Sequence, residues 1–186
     1  MTDLRQEDYN KFTYLPDIPY NCINYLINNN EVCWRLLKYN DPNAWKLDSD
    51  HPNLTKSQKG LLIYDGLKNE TDCRIFMDYG QDDSWQDQVS ILKITVAEAI
   101  PTNYVWGYIS IGFEIYSHYQ INTLSNYKTR IAMISQNIIE TFNGADLGDG
   151  IGRLYFDYSK NSRSKMILIG RAPFKGSGIL MCNYAL

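Results

Sequence analysis

The densest run of chemistry-bearing side chains is the acidic group Asp78, Asp82, Asp83 and Asp87, set around Gly80. Crowded carboxylates can hold a divalent cation or turn away phosphate. The spacing Asp82-Asp83-x-x-x-Asp87 fits neither the alternating oxygen ligands and distal glutamate of a calcium loop nor a glycosidase carboxylate pair. A metal-dependent nuclease needs an acidic strand-end residue followed by Glu-x-Lys on the next strand. Lys93 is present, but Ile91 stands where the carboxylate belongs. The group therefore reads as a solvated loop, or as a surface complementary to a basic neighbour.

Other chemistry is sparse. His51 lies in a Pro-flanked loop and His118 at a strand end, with no HExxH and no Cys/His cluster at ligand spacing, so no metal site is expected. His118 reads as a local hydrogen-bonding residue near the start of a helix. Cys22, Cys33, Cys73 and Cys182 are widely spaced and each sits in an apolar stretch, which reads as small buried thiols in a reducing compartment. Gly148, Gly150 and Gly152 superficially resemble a phosphate cradle. They follow a helix and precede a strand, however, the reverse of the order that aims backbone N–H groups at phosphate. No nucleophile elbow occurs. The expectation is a non-catalytic chain with no cofactor.

At 186 residues, the chain suits one domain with a substantial core. We read residues 1–18 as an N-terminal arm and 19–186 as a single α+β domain. A 44% hydrophobic and 21% charged composition argues against wholesale disorder, and a net charge of −3 argues against phosphate neutralisation as the main mode of binding. The opening stretch MTDLRQEDYNKF has no apolar core behind a basic start, so no secretory signal is expected. Apolar runs such as Met166 to Ile169 fall far short of the ~20 residues of a membrane helix. Fifteen tyrosines outnumber six phenylalanines and four tryptophans together. That excess suits protein interfaces, where a ring is buried and a hydroxyl stays wet, and it equally suits a compositional habit shared with the abundant Asn and Ile.

The elements that must position these residues follow from periodicity. Pro19 opens a helical pattern through Ile23, Leu26 and Ile27, which Asn28-Asn29-Asn30 stops; Asn30 then caps a second short helix with Val32, Leu36 and Leu37 inward. Residues 41–54 read as a loop, and Thr55 caps a third helix packing through Leu61 and Leu62. Beyond Cys73 the composition turns to strands. Val89 to Ala99 and Tyr104 to Ser117 form an antiparallel hairpin, with Val89, Ile91, Lys93 and Thr95 on one face, Leu92, Ile94 and Val96 on the other, and Gly107 and Gly112 marking bulges or close contacts. A long amphipathic helix follows over about 124–143. Its core stripe is Leu124, Tyr127, Ile131, Ile134, Ile138 and Phe142, with Lys128, Arg130, Gln136 and Glu140 on its polar side. Thr123 or Ser125 is the expected cap and Asn143-Gly144 the stop. Arg153 to Tyr158, Lys165 to Arg171 and Ile179 to Tyr184 close the chain as a β-meander, with Lys175 to Gly178 as a turn.

Helices at Asn21 to Tyr39, a hairpin at Val89 to Tyr116, a long helix at Leu124 to Asn143 and closing strands at Arg153 to Tyr184, with Pro173-Phe174-Lys175-Gly176 before the last strand, give an order that resembles the neck and tail-completion proteins of tailed bacteriophages, notably the tail-terminator group. The resemblance implies a structural virion protein made in the host bacterial cytoplasm. It implies a six- or twelve-fold homo-oligomeric ring at the head–tail junction that meets neck, portal or tail proteins. DNA would pass through it without sequence-specific binding, and no membrane would be involved. On that reading Asp78, Asp82, Asp83 and Asp87 line the lumen or meet a basic neighbour. The alternatives are a metal-dependent nuclease or other small enzyme using scattered carboxylates such as Asp78, Asp87, Glu98 and Glu114, and a different ring component or accessory binding module.

Overall fold

A computed structural model describes residues 15–77, 88–101, 107–147, 153–155, 165–167 and 174–185. The fold is α+β, with helices packed on a mixed sheet. Leu15–Asp17 makes a 3-10 turn leading into α1, Ile18–Asn29, which buries Ile18, Cys22, Ile23 and Leu26. Asn30 ends α1 and starts α2, Glu31–Lys38. Its backbone N–H donates to the Leu26 carbonyl, and its side-chain oxygen accepts from the Cys33 N–H at 2.8 Å. One residue thus satisfies orphan groups of two helices. Trp34 is fully buried and donates from Nε1 to the Leu26 carbonyl at 3.1 Å. Thr55 and Gln58 form a capping box on α3, Lys56–Leu61. Leu62 packs inward, whereas Leu61, expected beside it, is 65% exposed.

The sheet runs β1 (Ile75–Phe76), β2 (Ser90–Pro101), β3 (Gly107–His118), β6 (Phe174–Ala185) and β4 (Leu154–Tyr155), with β5 (Lys165–Ile167) also paired to β6. β1 is parallel to β2; the other pairings are antiparallel. Two faces of β2 and β3 are covered, as the mixed pattern of 89–99 predicts. On one face Leu92, Ile94, Ile109, Ile111, Phe113 and Ile115 meet α1, α2 and the helix Arg130–Phe142 (α4) in the main core. On the other, Ile91 and Tyr116 join Cys73, Phe76 and Val89. A register shift between Val96 and Glu98 resets the alternation, so that Ala99 packs on the helical side after Val96. Gly112 lies opposite Thr95, and a Cβ there would meet Thr95 Oγ1 at 3.2 Å.

Three expectations shift. The long helix, α4, spans Arg130–Phe142 and is capped by Thr129, whose side chain accepts from the Ala132 N–H, rather than by Thr123 or Ser125. Residues 121–129 instead make turns that place Leu124 in the core without helical geometry. The stop is as expected, with Gly144 at φ +81° beyond Asn143. Lys175 to Gly178, expected as a turn, lies within β6. The register with β3 shifts there between Tyr116 and His118, so a bulge takes up Lys175 and Gly176, while Gly178 pairs regularly with Ile115.

Candidate functional site

The candidate loop Asp78, Asp82, Asp83 and Asp87 lies outside the described residues. The predicted core helix is in place. Ile131, Ile134, Ile138 and Phe142 are buried, and the Phe142 ring sits 4.9 Å from Phe113 and 5.7 Å from Tyr25. Its apolar stripe is therefore spent inside the domain. Tyr127 does not belong to it. This residue precedes the helix, is 98% exposed and has φ +63°, a conformation that bulky residues rarely adopt.

Sequence reasoning missed the most strongly organised polar cluster, which joins the 41–54 loop to α2 and α4. Arg130, expected on the solvent side, is fully buried at the first position of α4. Its Nε donates to the Ile121 carbonyl at 2.9 Å. Nη1 donates to the carbonyls of Leu36 and Tyr39, each at 2.6 Å, and Nη2 to that of Asp41 at 2.8 Å. The guanidinium fork thus terminates α2 and anchors the loop that follows. Burial pushes its pKa down to about 10, against the pull of the nearby Asp41 carboxylate, so it stays protonated at neutral pH. A cation in a first helical turn opposes the helix dipole, and that was the available signal that Arg130 serves something else.

Within the loop, the buried His51 is held on both sides. Nε2 lies 2.6 Å from Asp41 Oδ2 and Nδ1 2.7 Å from Asp48 Oδ1. Asp41 also accepts from the Asn43 N–H, and Asp48 from the N–H groups of Asp50 and His51. The Tyr39 ring stands edge-on to the imidazole at 5.2 Å. Burial of the ring opposes its charge, but hydrogen bonds and charge from Asp41 and Asp48 outweigh that and raise its pKa above the ordinary value. When protonated, the ring donates from both nitrogens and offers no lone pair for a metal or a substrate proton. Arg35 completes the cluster through Asn53 Oδ1 and, at 3.1 Å, the Trp45 carbonyl, while Trp45 Nε1 donates to Ser125 Oγ at 3.0 Å.

A second polar group lies on the sheet face away from the helices. Lys93 pairs in register with Glu114, its Nζ sits 5.2 Å over the Tyr116 ring, and the Tyr116 hydroxyl donates to Glu114 Oε2 at 2.7 Å. Lys93 is 1% exposed. Glu114 thus lies across the ladder from Lys93, while Ile91 itself faces Tyr116. Of the other candidate carboxylates, Asp78 and Asp87 lie outside the described residues, as does the Glu98 side chain.

Cys22, Cys33, Cys73 and His118 are packed into the fold, while Gly148, Gly150, Gly152 and the Cys182 side chain lie outside the described residues. Cys22, Cys33 and Cys73 are buried, and burial pushes the Cys33 thiol up to about 12, far from thiolate chemistry. Burial also lowers the pKa of His118, whose Nδ1 accepts from the Gln120 N–H at 3.3 Å in the turn after β3. Among the described residues no group of three or more His, Cys, Asp or Glu side chains is arranged to hold a metal, and no helix is long and apolar enough to cross a membrane.

No match was found among curated proteins or among solved structures. A family model does match, over residues 29–169, a span that contains both polar clusters, the hairpin and α4. The chain belongs to the YomW family, whose name is phage-derived and associates it with bacteriophage.

Proposed function

We propose that this chain is a non-catalytic structural virion protein of a tailed phage, forming a ring at the head–tail junction as a tail terminator or neck-completion component. The observation that carries the reading is membership of a phage-derived family by a chain whose elements run as helices, hairpin, long helix and closing strands. In the proposed ring, copies of the chain and neighbouring neck, portal or tail proteins surround the DNA channel, and no cofactor takes part. The main apolar helix face is consumed internally, so assembly contacts fall to the exposed side chains. Tyr20, Leu67, Tyr119 and Tyr127 are large apolar or aromatic groups held in solvent, suited to such contacts. Electron microscopy and native mass measurement of the purified chain test this. A closed ring, alone or on tail tubes, is the expected particle. A persistent monomer with magnesium-dependent nuclease activity overturns the reading.

The pairing of Lys93 with Glu114 favours one second reading, a small metal-dependent nuclease using that pair with carboxylates from elsewhere. Its discriminating variant is Glu114→Ala: an enzyme loses divalent-metal binding and cleavage together, whereas a ring component shows neither property to begin with.

A further inference from the structure

His51 is the one side chain of the 41–54 loop whose two polar atoms are each gripped by a different carboxylate, at 2.6 and 2.7 Å. One of those, Asp41, is itself bound through its backbone carbonyl to Arg130 of α4. The same loop is tied to the turn before α4 by the Ser125 N–H donating to the Pro42 carbonyl at 2.9 Å, and to α2 by Arg35. We propose that Asp41, His51 and Asp48 form a proton-held latch, which seats the 41–54 loop against the end of α2 and the start of α4 and releases it when His51 loses its proton.

The groups around the imidazole decide how the latch responds. From the loop come Asp41 and Asp48, with Asp50 beside Asp48. From α2 and its end come Arg35 and the Tyr39 ring, and from α4 comes Arg130, acting through the Asp41 carbonyl. Loss of the proton turns one ring nitrogen into a lone pair facing a carboxylate oxygen at hydrogen-bond distance, so attraction becomes repulsion. Both carboxylates are partly exposed, with side chains 44% and 40% accessible, so each can turn to water. The His51 side chain, 9% accessible, cannot rehydrate without the loop lifting.

The sign follows from the environment. The His51 pKa is raised above 6.5 by its two carboxylates against the cost of burial. The latch's contribution is therefore full below 6.5 and is lost as pH rises through the higher native value. The Asp41 and Asp48 values are lowered from 3.8. Burial opposes this at Asp41, where hydrogen bonds from Asn43 and His51 prevail; at Asp48 the hydrogen bond to His51 is the largest cause. Their contributions are complete above 3.8 and fail as pH falls through the native values. The loop is thus held between the lowered carboxylate values and the raised His51 value, and freed as pH rises through the latter.

Nitrogen-15 NMR of the full chain tests this. Both ring nitrogens of His51 are expected to carry protons at pH 6.5, with a titration midpoint above that of free imidazole. Intrinsic-rate-corrected protection of the Ala44, Lys46 and His51 amides should fall through that same midpoint, roughly tenfold for each unit by which it is raised. Asp48→Asn should bring the midpoint back toward the ordinary value, and His51→Gln should remove the pH step while α4 amides stay protected. A His51 that is neutral at pH 6.5, or loop protection that does not change across its titration, overturns the proposal.

Discussion

Arg130 Nη2 donates to the carbonyl oxygen of Asp41 at 2.8 Å, and the carboxylate of the same Asp41 grips His51. Asp41 is thus the joint between a buried guanidinium and a loop histidine. At the end of α2 the Arg130 contact to the Leu36 carbonyl is buried and those to Tyr39 and Asp41 are partly so. The carbonyls of Leu36 and Tyr39 are met by the same Arg130 fork, with Ile121 on the opposite side. A single side chain therefore donates to four carbonyls, of which that of Asp41 also accepts from the Ala44 N–H.

Arg130→Met should cost about 3–5 kcal/mol in chemical denaturation, because it strands several buried carbonyls at once. Arg130→Lys should recover only part of this, remaining about 2 kcal/mol below the parent. A single ammonium cannot reproduce a planar fork with acceptors on two sides.

Asn30 joins three helices. Besides capping α2, its Nδ2 donates to Thr141 Oγ1 at 2.8 Å and lies near Asn137 on α4. Asn30→Ala should cost about 2 kcal/mol, the sum of a lost cap and lost part-buried bonds. Asn30→Asp keeps the acceptor for Cys33 and loses the donor toward α4, so its midpoint in urea should fall between parent and alanine.

Gly112→Ala should destabilise by about 1–2 kcal/mol, since the added methyl meets Thr95 Oγ1 at 3.2 Å and Ala97 Cβ at 3.5 Å in a covered sheet. The check is a double-mutant cycle with Thr95→Ala. If the clash is the cause, the double variant is more stable than the sum of the two single losses.

Tyr127→Asn should raise thermal stability by roughly 0.5 kcal/mol, because it relieves a left-handed backbone without giving up buried area. If the proposed ring uses this exposed ring as a contact, the same variant assembles less well while melting higher. Calorimetry and particle size then move in opposite directions.

Elements were legible where their signals are local. Asn30 and Thr55 act as caps, the alternation of β2 places Lys93 and Leu92 on opposite faces, and Gly144 stops α4. Local periodicity misled where the chain only imitates a helix. Leu124 and Tyr127 extend the apolar stripe by spacing, yet Thr129 supplies the cap and the stripe begins at Ile131. The polar cluster was not legible, because Asp41, Asp48, His51 and Arg130 share no period and meet only when the loop is folded back over α4. Polarity alone placed Arg130 in solvent, whereas its value lies in being taken out of it. The acidic group at 78–87, the clearest chemical feature of the sequence, lies outside the described residues.

The position of β6 has a bearing on how the protein comes into being. This strand, formed by residues 174–185, is interior: β3 lies on one side and β4 and β5 on the other. A ribosome delivers the three helices, the hairpin and α4 first, but one long edge of β3 then stays unpaired until the last described strand emerges. An open edge beside a finished hydrophobic layer is the condition under which nascent chains pair wrongly with one another. Chaperone dependence during synthesis should accordingly concentrate in this interval, and truncations that remove residues 174–185 should yield insoluble product rather than a smaller folded domain.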